Sequence, residues 1–158
     1  MNSLIITKFE KIWKLNGNKH RKIKPAVDYF SGNKEWFTNG LLNREDDLPA
    51  VEYTNGDKEW WSHGSRHRDN GPAITSDEYN EKKWYNYGEE YIVQENGTRE
   101  FIDFNGRLHR YSLPAIEYSN GDREWWYRGK RHRDDGPAVI IGNKQFWFEN
   151  GEFIKCIL

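Results

Sequence analysis

The sequence predicts an all-β chain in which tandem β-hairpin units of about 23 residues form an elongated, twisted antiparallel meander. Three observations carry that reading. Aromatic residues make up 16% of the chain although all hydrophobic types together reach only 35%. A Pro-Ala pair recurs at 25–26, 49–50, 72–73, 114–115 and 137–138. A glycine recurs at 17, 40, 64, 88, 106, 129 and 151, and four residues ahead of it stand Trp13, Trp36, Trp60, Trp84, Ile102, Trp125 and Trp147.

The composition sets the scale of the core. The chain has 158 residues, 31% of them charged, and its mean hydropathy is −1.06. A two-layer fold draws on more Leu, Ile and Val than this. Large rings suit a thin sheet whose faces are covered by side chains, and a disordered chain would be poor in them. The net charge is −1, from 24 basic and 25 acidic residues. That balance gives no overall attraction to nucleic acid or to anionic lipid, and neither is expected as a partner. A single cysteine, Cys156, excludes an intramolecular disulfide framework and suits a reducing compartment. Leu4-Ile5-Ile6 is too short for a signal peptide or a membrane span, so a cytoplasmic location is expected.

Successive Pro-Ala pairs lie 24, 23, 42 and 23 residues apart, so the long interval holds a unit that has lost its proline. Residues 49–74 align without a gap on residues 114–139, with mostly conservative changes such as Val51 for Ile116 and Lys58 for Arg123. We read residues 1–158 as one repeat domain of about six units, with 89–106 degenerate and short capping strands at both ends. The degenerate segment is the expected weak point of the array, because repeat stability is a sum over units and their interfaces.

Each unit reads as two strands. Pro49 to Tyr53 alternates, with proline at the strand's first position, where its missing N–H is tolerated. Asn55-Gly56 is a strong hairpin signal, since both residues accept positive φ. A two-residue turn there places Glu52 opposite Glu59, and Glu117 opposite Glu124, which is electrostatically unfavourable. Lys58 to Ser62 returns as one strand, a second turn follows at Gly64, and His67-Arg68 leads into the Asp69-Asn70-Gly71 corner. No stretch has helical period, and about a dozen short strands are expected in one sheet.

The hairpin spacing, the unit length and the stretch Gly129-Lys130-Arg131-His132 resemble the MORN repeat. The variant running from His67 to Ala73, and again from His132 to Ala138, is more similar to the MORN-like repeats of YwqK-type antitoxins and of phage and giant-virus repeat proteins. The resemblance implies an elongated β-meander and an interaction role: scaffolding at a membrane, phospholipid contact, or neutralising a toxin.

The candidate site residues follow from the columns. The Trp column is core. Phe37, Trp61, Tyr85, Trp126 and Phe148 each follow a column residue by one, so strand alternation turns them to the other face. A single-layer sheet cannot bury both faces equally, so Trp61, Tyr85 and Trp126, with Glu59 and Glu124 beside them, form the candidate partner-binding stripe. A second set, His67, Arg68, His109, Arg110, His132 and Arg133, is the alternative ligand site for a small phosphate-bearing molecule. Histidines one unit apart stand about 10 Å from each other, too far to share a zinc ion, so no metal site is expected. No nucleophile elbow, phosphate loop or zinc-protease motif occurs, and no catalytic residue or cofactor is assigned. The expected function is non-catalytic binding of a protein, such as a toxin or a host defence protein, with a phosphate or nucleotide sponge and a membrane-associated scaffold as the alternatives.

Overall fold

The computed structural model describes residues 1–158 and is all-β, with 22 strands and no helix. None of it is a helix long and apolar enough to cross a membrane. The chain divides into two compact units, Met1–Gly88 and Glu89–Leu158.

In the first unit, β1 (Asn2–Ile6), β2 (Glu10–Leu15), β4 (Val27–Tyr29), β5 (Lys34–Glu35), β8 (Val51–Glu52), β9 (Lys58–Glu59), β12 (Ile74–Ser76) and β13 (Glu81–Asn86) follow one another across an open sheet, and β3 (Asn18–Lys19) also pairs with β2. Two small hairpins stand apart from it: β6 (Phe37–Thr38) with β7 (Leu41–Leu42), and β10 (Trp61–Ser62) with β11 (Ser65–Arg66). In the second unit the order is β14 (Glu89–Val93), β15 (Arg99–Phe101), β16 (Ile116–Glu117), β17 (Arg123–Glu124), β20 (Val139–Ile141), β21 (Lys144–Glu149) and β22 (Glu152–Ile157). Its separate hairpin is β18 (Trp126–Tyr127) with β19 (Lys130–Arg131). The pairings within both units are antiparallel.

The strand count exceeds the expected dozen because the return strand is interrupted. Lys58 to Ser62 is not one strand: the main-sheet ladder ends at Glu59, Trp60 sits at the break, and the chain enters the small hairpin at Trp61. The N–H of Trp60 crosses to the carbonyl of Ala73 at 2.8 Å. The N–H of His67 returns to the carbonyl of Trp60 at 3.1 Å. The same crossing joins Trp36 to Ala50 and Trp125 to Ala138, each at 2.8 Å.

The turn at Asn55-Gly56 differs from the two-residue turn expected there. Gly56 donates to the carbonyl of Tyr53 at 3.1 Å and Tyr53 donates to that of Asp57 at 3.0 Å, with Gly56 at φ 95°. This is a three-residue loop closed by a left-handed glycine, not a two-residue turn. The two-residue turn lies at His63-Gly64, where both φ values are positive, 49° and 84°. The longer loop shifts the register by one, so Val51 faces Glu59 and Glu52 faces Lys58. In the second unit Ile116 faces Glu124 and Glu117 faces Arg123. The expected opposition of like charges is therefore absent at both places, replaced by an attractive pair.

The core is narrow. Ala26, Ala50, Ala73, Ala115 and Ala138 are wholly buried, which accounts for a residue no larger than alanine after each proline. Val27, Val51, Ile116 and Val139 lie beside them, and Trp36, Trp60 and Trp125 are buried over them. Trp13, Trp84 and Trp147 are half-buried. In the segment 89–106 the column residue is Phe101, not Ile102. Phe101 is only 2% exposed, and its N–H reaches the carbonyl of Ala115 at 2.8 Å as the tryptophans do.

Candidate functional site

The arginine of each His-Arg pair stands over the column ring of its own repeat. The guanidinium carbons of Arg21, Arg68 and Arg133 stand 3.9 Å from the ring centres of Trp13, Trp60 and Trp125. Arg110 stands 3.7 Å over Phe101, and Arg44, without a histidine before it, stands 3.7 Å over Trp36. Each also donates to the carbonyl of the following proline, at 3.0 to 3.4 Å. Gly71 and Gly136 pack against these guanidinium groups, and a β-carbon on Gly71 would lie 3.0 Å from Arg68 Nη1. A cation on an aromatic face is worth about 0.5–2 kcal/mol, more as water is excluded.

The histidines join one hairpin to the next. Nδ1 of His20, His109 and His132 accepts the backbone N–H of Asn39, Arg128 and Asn150, each a left-handed turn residue, at 3.2, 3.2 and 3.3 Å. Asn43 does the same with Oδ1, accepting from His63 at 3.0 Å. His67 instead stacks on Tyr87, ring centres 3.8 Å apart. Nε2 of His67 and of His132 faces the carboxylate two residues on, Asp69 at 3.3 Å and Asp134 at 3.1 Å. The structure thus gives the six residues of the alternative site internal partners, although not equally. Arg68 holds Asp47 through two bonds of 3.0 Å, and Arg110 holds Glu89 and Glu117 at 2.7 and 2.9 Å.

The candidate stripe is organised around its glutamates. Glu59 accepts from Tyr53 Oη at 3.0 Å, Trp61 Nε1 at 2.8 Å and Arg66 Nε at 3.3 Å. Glu124 accepts from Tyr118 Oη, Trp126 Nε1 and Arg131 Nε, each at 2.9 Å. The Glu124 side chain is 5% exposed, and the three donors satisfy a carboxylate that burial would otherwise leave short of partners. Trp61, Tyr85 and Trp126 remain half-buried. Arg66 lies between two rings, 4.9 Å from Trp61 and 5.6 Å from Tyr85, and Arg131 lies between Trp126 and Phe148 at 5.1 and 5.4 Å. Each unit therefore carries its own short ladder of rings around a guanidinium group, Trp61–Arg66–Tyr85 in the first and Trp126–Arg131–Phe148 in the second.

The tyrosines feel the carboxylates. Burial, then the neighbouring glutamates, push Tyr29, Tyr53 and Tyr118 up to about 12. Burial also raises the Glu35 carboxyl, against Lys19, which lowers it. At the surface, hydrogen bonds from Arg107 hold Asp103 below the usual carboxylate range.

Sequence reasoning missed Arg66, Arg131, Tyr53 and Tyr118. The signal was present: Arg-His-Arg occurs at 66–68 and again at 131–133, and its first arginine is the one that enters the ladder. No protein-family model matches this chain, and a search of curated proteins finds no match to it.

Proposed function

We propose that this chain is a MORN-like repeat module that binds another protein without catalysing a reaction, through the ladder of rings and guanidinium groups. The observation that carries the reading is the ladder's construction. Trp, Tyr and Arg are the residue types that dominate interface energetics. Here Trp61, Arg66, Trp126 and Arg131 are each already held by a glutamate before any partner arrives, so little of their side-chain entropy remains to be lost on binding. The repeat reading is supported by the arginine-on-ring stack and the column-to-alanine bond, which recur at Trp60 and Trp125 and in variant form at Phe101. A partner that is a toxin or a host defence protein agrees with the resemblance to antitoxin and viral repeats, and a cytoplasmic location agrees with the lone cysteine.

The test is capture from cells with the wild-type chain and with Trp61→Ala/Trp126→Ala, after both have been found equally folded by circular dichroism. A protein retained by the wild type and lost from the double variant supports the reading. Identical capture by both overturns the assignment of the ladder as the binding face.

A further inference from the structure

Successive units make an internal comparison at the indole N–H of the column. Trp60 Nε1 donates to the carbonyl of Asp47 at 2.9 Å, and Trp36 Nε1 to that of Ile23 at 3.4 Å. Asp47 and Ile23 each stand two residues before a proline, and Ser112 stands in that place before Pro114. Yet Trp125 Nε1 is buried without a partner, although the residue is 93% buried overall, at 7% exposure. A buried donor left unpaired costs about 1–3 kcal/mol, so it is the exception that needs a reason.

The arginine above that indole is also unlike its counterpart. Arg68 grips the Asp47 carboxylate side-on with Nε and Nη2. Arg133, stacked on Trp125, makes no ion pair with any carboxylate of the chain and bonds only to the Pro137 carbonyl. Trp125 and Arg133 both line one cavity of about 430 Å³, together with Tyr111, Ser112, Tyr127 and His132. Asp134 and Asp135 stand at the same cavity. Asp134 is turned to His132, as Asp69 is turned to His67 beside an Arg68 that nonetheless holds its carboxylate.

We propose that this cavity is a carboxylate-binding site, in which Arg133 takes the two oxygens side-on, as Arg68 takes those of Asp47. The aromatic walls, Tyr111 and Tyr127, favour a carboxylate carried on an organic group over a free inorganic anion. The inference stands apart from the ladder of Trp126 and Arg131 and does not depend on it.

Two carriers share this chemistry, a small organic acid and an acidic side chain of a polypeptide. The experiment titrates N-acetyl-aspartate amide, its asparagine counterpart and an aspartate-centred glycine pentapeptide into the full chain. The readout is the Arg133 Nε–H and Trp125 Nε1–H resonances. The aspartate compound is expected to shift both, and the asparagine compound neither. Tenfold tighter binding of the pentapeptide identifies a polypeptide as the carrier, and equal binding identifies a small acid. Ser112→Asp supplies the missing carboxylate from within, at the place that Asp47 holds two residues before Pro49. It should weaken binding of the aspartate compound at least tenfold and raise the melting temperature by a few degrees. No shift of either resonance in the wild type, or an undiminished response in Ser112→Asp, overturns the proposal.

Discussion

The guanidinium of Arg110 lies 3.7 Å above the ring of Phe101, in the same relation that Arg68 bears to Trp60. Arg110 side-chain exposure is 3%, and two carboxylates, Glu89 and Glu117, hold it there. The segment 89–106 therefore has a column residue, an arginine lid and charge partners despite its lost proline.

Phe101→Ala should cost about 3–5 kcal/mol, as for truncation of a buried aromatic. Ile102→Ala, half-buried beside it, should cost markedly less. Denaturant unfolding of the two variants measures the difference. Native-state amide exchange adds a second check: Phe101 should be protected comparably to Trp125. Equal losses for the two variants, or fast exchange at Phe101, would restore 89–106 as the weak segment that the sequence suggested.

Arg68→Ala removes the stack on Trp60, leaves the Pro72 carbonyl with one donor fewer and strips Asp47 of its partner. A loss of about 1–3 kcal/mol is expected from the unpaired groups and the lost cation on the ring. Arg68→Lys should recover part of it, since lysine keeps the charge but not the planar fork. Thermal melts of both variants check the order. A melting temperature unchanged in Arg68→Ala would show that the stack contributes nothing to the fold.

The histidine staples predict a tolerated exchange. His132→Asn should be close to neutral, because Asn43 already accepts a turn N–H with its side-chain oxygen. His132→Leu should lose about 0.5–1.5 kcal/mol, the worth of a typical hydrogen bond. Equal stability of the two variants by chemical denaturation would mean that the Asn150 N–H needs no acceptor.

How far the fold was legible in the sequence depended on which contacts are local. Trp36, Trp60 and Trp125 announce themselves by period, and the buried alanines by their prolines. Counting four back from Gly106 points to Ile102 as the column residue. Gly106 closes a three-residue loop, donating to the Asp103 carbonyl at 2.8 Å, so the true offset is five. The Glu52–Glu59 register failed for a related reason. Asn-Gly suits either turn type, and Asn55 uses its side chain to bond the Asp57 N–H at 3.2 Å within the longer loop. Of the candidate site, the rings and glutamates could be read from sequence. Tyr53 could not, because its place on Glu59 depends on that register, whereas Arg66 is marked by the repeated Arg-His-Arg and reaches Glu59 through its pairing with Trp61.

Alkali supplies a further test. The three tyrosines are raised from the ordinary phenol value to about 12 in the fold. A raised folded-state value means their stabilising contribution is complete below about pH 10 and is lost as pH climbs through about 12. Phenolate absorbance should show a late-titrating class that Tyr53→Phe and Tyr118→Phe reduce. The wild-type melting temperature should fall across the same window. Uniform titration of all tyrosines near the ordinary value would remove the Tyr–Glu bonds from the account.

The most direct measurement of the binding face is oxidative footprinting of the chain with its captured protein partner bound and absent. Protection is expected at Trp61, Tyr85, Trp126 and Phe148, with the exposed Phe104 and Tyr79 unchanged. Unaltered oxidation at Trp61 and Trp126 in a saturated complex, with protection elsewhere, would contradict the claim that the ladder binds.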